Sequence, residues 1–127
     1  MSLTNAGRDY IAKCLINDST PTFFDNTNSY LGVGDSTTAF AVTQTDLQAA
    51  TNKLRKGMET SYPTRTDNAL TFKAVFGDSE ANYIWNEWGV FNASTSGTML
   101  CRKVSNLGTK TTGSWSLTVV LTVAIGS

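Results

Sequence analysis

With ten basic and ten acidic side chains in 127 residues, this sequence carries no net charge, and it contains no histidine. The balance argues against a nucleic-acid binder, whose affinity comes from a basic excess over phosphates, and against attraction to an anionic membrane surface. The missing histidine removes the commonest general base, the Ser-His and Cys-His dyads and most zinc and iron sites, so neither a cofactor nor a metal is expected.

The length suits one domain, residues 1–127, with a hydrophobic core that needs no disulfide staple. Cys14 and Cys101 lie far apart with no C-x-x-C spacing and are expected to be reduced, partly buried thiols. The start shows no basic region followed by an apolar run, and no apolar stretch approaches membrane-spanning length. The expectation is a soluble chain made and kept in a cytoplasm. Abundant Thr, Ser and Asn with few Lys and Glu lean toward β-rich extracellular or virion proteins.

Residues 3–17 (LTNAGRDYIAKCLIN) predict a helix. Thr4 or Asn5 supplies the cap, and Leu3, Gly7, Ile11, Cys14 and Leu15 form one apolar stripe near a 3.6-residue repeat. Residues 17–28 read as a loop with Phe23 and Phe24 as anchors onto the core. Residues 30–35 (YLGVGD) predict a short strand. Gly32 and Gly34 match neither a phosphate loop nor a dinucleotide fingerprint, since no G-K-[ST] follows and the G-x-G-x-x-G spacing fails at Thr37. Tight backbone approach or a bulge is the better account of them. Residues 36–52 are small and polar, with one helical turn expected from Thr45.

Residues 53–62 alternate as a strand that Pro63 ends. Lys53, Arg55 and Lys56 form the one basic cluster, read as a solvated face or as a source of partners for carboxylates such as Glu87. Asp67 and Asn68 then turn the chain, and Leu70, Phe72, Ala74 and Phe76 line one face of the next strand. Residues 77–82 (GDSEAN) are a polar loop.

Residues 85–104 (WNEWGVFNASTSGTMLCRKV) predict a β-hairpin turning through residues 93–97. Period two places Trp85, Glu87, Gly89 and Phe91 on one side and Asn86, Trp88, Val90 and Asn92 on the other, so both sides carry bulky aromatic surface. Such a strand is covered twice, by its own chain or by another subunit. Trp88 and Val90 are expected inside, with Trp85 and Phe91 under the helix or at a subunit contact. Glu87 needs a donor, because an isolated buried charge is costly, and its expected role is a conformational lock. The last strand places Trp115, Leu117, Val119, Leu121, Val123 and Ile125 on one face, which predicts a central strand facing the core. Together these elements predict a mainly β fold: a small antiparallel β-sandwich with one N-terminal α-helix, its strands running from about residue 30 to 126.

The segment 70–100 resembles the small attachment-type domain of bacteriophage tail-fibre and tail-collar proteins. The shared pattern is a strand with a Phe-x-Ala-like stretch, a polar loop, then Glu-apolar-Gly-apolar-aromatic, a turn with Gly and a short apolar strand. Those positions here are Glu87, Trp88, Gly89, Val90 and Phe91, then Gly97, Met99 and Leu100. Leu3, Thr4 and Gly7 are similar to that domain's Leu-Thr-x-x-Gly opening, and residues 31–35 to the strand after it. The resemblance implies a non-enzymatic structural component of a tailed-phage virion, assembled in the host cytoplasm. It implies other virion proteins as partners and a homo-oligomeric state, with neither nucleic acid nor membrane. Trp85, Glu87, Trp88, Gly89 and Phe91 are the structural and assembly candidates. No glycine-rich or heptad shaft follows, so an attachment or adaptor role is implied rather than receptor binding, and a host glycan receptor has no support.

Other readings compete. A capsid decoration protein fits a short stand-alone chain. A carbohydrate-binding module would use exposed Trp85, Trp88 or Trp115 as stacking platforms, although aromatics at strand spacing are more often core. A glycoside hydrolase would pair Glu87 with Asp78 or Glu80, but loop carboxylates alone do not define a site.

Overall fold

The computed structural model, which describes residues 2–124, is mainly β, with strands in two antiparallel sheets and one helix near the N-terminus. The chain runs β1 (Ser2–Leu3), α1 (Asn5–Ile16), β2 (Tyr30–Gly34), β3 (Lys53–Gly57), β4 (Thr64–Thr66), β5 (Ala69–Phe76), β6 (Ile84–Phe91), β7 (Met99–Thr109) and β8 (Trp115–Thr122). A five-stranded sheet has the order β1-β7-β6-β2-β3, and a three-stranded sheet the order β4-β5-β8. The expected β-sandwich with an N-terminal helix is the fold found.

The core lies between the sheets and follows the period-two patterns. Phe72, Ala74 and Phe76 of β5 and Leu117 and Val119 of β8 meet Leu31 and Val33 of β2 and Val90 of β6. All of these are buried. The expected turn at Asp67 and Asn68 joins β4 to β5, with Asp67 in left-handed backbone conformation at φ 52°. The hairpin of β6 and β7 is the centre of the larger sheet, with Gly89 opposite Arg102 and Val90 opposite Cys101.

Several expectations need correcting. The helix starts at Asn5 rather than residue 3, because Leu3 pairs with Cys101 as part of β1. Thr4 is the N-cap, its hydroxyl accepting the Gly7 N–H at 2.9 Å, and Asn17 closes the other end in left-handed conformation. The apolar stripe of α1 does not face the core. Gly7 is the buried residue of the helix, set against the Leu100 backbone, while Ile11, Leu15 and Ile16 are exposed. Phe24 packs onto the core as an anchor, whereas Phe23 is exposed. Residues 35–52 hold no helical turn; side-chain bonds described below fix that segment instead. The strand beginning at Lys53 ends at Gly57 rather than at residue 62, and a short strand, β4, follows Pro63.

Two further corrections concern strand position. β8 is not central: it pairs with β5 alone and forms one edge of the smaller sheet. Its alternation is real, but one buried face requires only a neighbouring layer, not strands on both sides. The expectation for Ile125 and residue 126 falls outside the described residues. In β6 the alternation breaks at Asn86, which alone spans the interval occupied on β7 by Ser105, Asn106 and Leu107. Trp85 is consequently part of the main core, edge-on to Phe76 at 5.0 Å and to Trp115 at 5.1 Å between ring centroids.

Candidate functional site

The outer face of the larger sheet carries the most specific arrangement in the molecule. Gly32 and Gly34 of β2 pair with Gly89 and Glu87 of β6, leaving a trough with almost no side-chain bulk. A Cβ on Gly34 would collide with Oε2 of Glu87, and one on Gly32 would sit 2.7 Å from the Phe91 ring. The alternating glycines thus make room for Glu87 and Phe91 to lie flat across the strands.

Glu87 is fully buried, and its carboxylate is fully engaged. Oε1 accepts from Arg102 Nε and from the Gln48 backbone N–H, both at 2.8 Å. Oε2 accepts from the Ala49 N–H at 2.9 Å and more weakly from the Ser36 N–H at 3.4 Å. Arg102, 1% exposed, donates its remaining nitrogens to Gln44 Oε1 at 3.0 Å and to the Thr38 carbonyl at 2.9 Å. A buried ion pair is tolerable only when its other hydrogen-bonding capacity is met, and here it is. The physical consequence is mechanical: one ion pair pins residues 36–49, which have no ladder of their own, onto the sheet.

The basic cluster at 53–56, read as a solvated face or a source of partners for carboxylates such as Glu87, does not serve Glu87, whose partner is Arg102. Lys53 and Arg55 pair with Asp46 at 3.0 and 3.2 Å, and Lys56 pairs with Glu80 at 2.8 Å. Arg55 does more than solvate a face. Its guanidinium lies 3.7 Å from the Phe91 ring centroid and donates to the carbonyls of Ala93 and Ser96 at 2.8 and 2.9 Å, tying β3 to the β6–β7 turn.

The five candidate residues separate accordingly. Glu87, Gly89 and Phe91 share the outer face, where Leu47, Met99 and Tyr30 cover Phe91. Neither the helix nor a subunit is needed over it; the chain's own pinned loop does that. Trp85 is 1% exposed and donates its indole N–H to the Ala81 carbonyl at 3.0 Å, so it presents no face to a sugar. Trp88 is half-buried against the main core, as is Trp115.

A second polar node lies at the start of the hairpin. Lys110 is fully buried, its ammonium donating to the Gly77 carbonyl at 2.6 Å and Asn82 Oδ1 at 2.7 Å. The neighbouring carboxylates are also committed. Asp78 accepts from Thr112 Oγ and the Gly113 N–H, which hold it below the ordinary aspartate range. Glu80 accepts from Lys56 and the Gly77 N–H, which likewise hold it low. Among the described residues no three His, Cys, Asp or Glu side chains converge to hold a metal, and no helix is long and apolar enough to cross a membrane.

A cavity of about 740 Å³ forms an open groove between α1 and the β6–β7 turn. Tyr10, Lys13, Asp18, Thr22, Asn28 and Asn92 are among its lining residues, and none of the five candidates reaches it. Cys14 and Cys101 are both free; burial pushes the Cys101 thiol up to about 12.

Sequence reasoning missed Arg102 and Lys110. Arg102 carried a readable signal: a charge inside an apolar strand, which the hairpin register sets opposite Gly89, two residues along from Glu87. Lys110 carried none, since a lysine beside Thr and Gly reads as a surface loop. Comparison with protein-family models and with curated proteins finds no match. The class that fold and site define is therefore a two-sheet antiparallel β-sandwich with one helix, whose central hairpin clamps a long loop through a buried ion pair.

Proposed function

We propose that this chain is a non-enzymatic structural component of a tailed-bacteriophage virion, an attachment or adaptor protein of the tail-fibre or tail-collar kind that works as a homo-oligomer against other virion proteins. The observation that carries the reading is the Glu87-Trp88-Gly89-Val90-Phe91 segment. It is the stretch that resembles the phage attachment domain, and its carboxylate serves to hold a loop against the sheet. A carboxylate with its oxygens bound to three backbone N–H groups and a buried guanidinium has no free lone pair aimed at a substrate. Glu80 has both oxygens bonded, to Lys56 and to the Gly77 N–H, and Asp78 is an exposed loop carboxylate tied through Oδ1 to Thr112 and Gly113, which supports a binding and assembly role over hydrolysis. Exposed Thr, Ser and Asn side chains suit contact with neighbouring subunits through polar patches with few anchors.

Immuno-electron microscopy of particles carrying an epitope tag on this chain tests the reading. Label at the tail or its collar is expected. Label confined to capsid faces would replace the attachment role with capsid decoration, and absence of the chain from purified particles would remove the virion role altogether.

A further inference from the structure

The two sheets have four edges among the described residues, formed by β1, β3, β4 and β8. Open edges recruit foreign strands, and proteins blunt them by shortness, charge or cover. Three of these edges are blunted. β1 is two residues long, β4 is three residues with Arg65 at its middle, and β3 carries Lys53, Arg55 and Lys56 among its five. β8 differs from all of them. It runs eight residues, Trp115–Thr122 (WSLTVVLT), with no charge, proline or glycine, and no irregularity in its pairing with β5. Its outward N–H and C=O groups find no backbone or side-chain partner among the described residues.

We propose that β8 is a self-pairing edge: two copies of this chain join β8 to β8 antiparallel about a two-fold axis, fusing their smaller sheets into one continuous six-stranded sheet. Unpaired strand backbone is complementary to another strand's backbone, and an uncharged strand meets its own copy without like-charge repulsion. Residues opposite each other in an antiparallel pair share a face, so the axis must fall on a residue rather than between two. With the axis at Val119, Leu117 of one copy lies opposite Leu121 of the other on the core side. Thr118 then lies opposite Val120 on the outer side. Both outer residues are now exposed, Val120 by 55%, and β-branched pairs of this kind suit cross-strand contact. Trp115 and Leu121, half-buried at the sandwich margin, gain cover from the neighbouring copy. The pairing gives the self-association named above a surface, but it rests on the edge alone and stands whether or not the virion reading does.

Sedimentation equilibrium on the full chain and on Thr118→Lys/Val120→Lys tests it. Both side chains point to solvent in the single copy, so the fold, checked by circular dichroism, is expected to persist while the measured mass halves from two chains to one. Thr64→Lys, a charge added at the β4 edge, is expected to leave the mass at two chains. In a Cys14→Ser background, Thr118→Cys is expected to give a covalent dimer with a short bis-maleimide. A native chain that is monomeric or trimeric, a folded double-lysine variant of unchanged mass, or a native dimer whose Thr118→Cys form does not cross-link would each overturn the proposal.

Discussion

Arg102, the cross-strand partner of Gly89, places its Nε 2.8 Å from Oε1 of Glu87, and both side chains are withdrawn from solvent. A Cβ at 89 would press on the Cys101 carbonyl oxygen at 3.0 Å and on the Phe91 ring and Met99 Sδ at 3.3 and 3.4 Å, so this glycine makes room for the Phe91 cluster beside the ion pair. Removing either charge strands the other in a buried site. Arg102→Met and Glu87→Gln are each expected to cost about 3 kcal/mol or more. The double variant should lose less than the two single losses combined, because neither charge is then left alone. Urea unfolding midpoints check both statements.

Gly7 sits in a helix, where Ala ordinarily gains about 1 kcal/mol. The packing reverses that sign, because a Cβ at this position would overlap the carbonyl oxygen of Leu100, backbone that cannot swing aside. Gly7→Ala is expected to lower stability by roughly 1–3 kcal/mol, with a thermal melt as the readout.

Asp46 titrates low. Burial opposes its charge, but hydrogen bonds from Lys53, the Leu47 N–H and Arg55 outweigh it. A carboxylate depressed in the folded state stabilises the fold above its ordinary range and loses that contribution as pH falls through the folded value. Stability measured against pH should therefore drop on acidification below the ordinary aspartate range. Asp46→Asn should be less stable than the native chain near neutrality and converge with it in acid.

The thiols should separate cleanly. Cys101 is buried and its thiol pushed up to about 12, while Cys14 is half-exposed on α1. Thiolate is the reactive form, so a maleimide is expected to label Cys14 alone in the folded chain and both cysteines in denaturant, read by peptide mass.

Much of the fold was legible because its signals are local. The alternation in Leu70, Phe72, Ala74 and Phe76, the turn at Asp67 and the hairpin through residues 93–97 each follow from short-range preference. Burial of Glu87 was legible too, since a carboxylate between tryptophans must find a donor. The rest depended on distant partners. Arg102 became the donor only through hairpin register, Trp85 changed sides where β7 holds extra residues opposite Asn86, and β8 took an edge because its alternation reports one buried face and not the number of strand neighbours. The α1 stripe misled because helical periodicity reports amphipathicity, not what lies opposite, and Leu15 and Ile16 remain in solvent.

Glu87 holds residues 36–49 on the sheet, and amide hydrogen exchange measures this directly. Gln48 and Ala49 donate their N–H groups to that carboxylate at 2.8 and 2.9 Å. In Glu87→Gln these two amides are expected to exchange on the order of tenfold to a hundredfold faster, while amides of the β2–β6 ladder stay protected. Unchanged exchange at Gln48 and Ala49 in a folded variant would contradict the account.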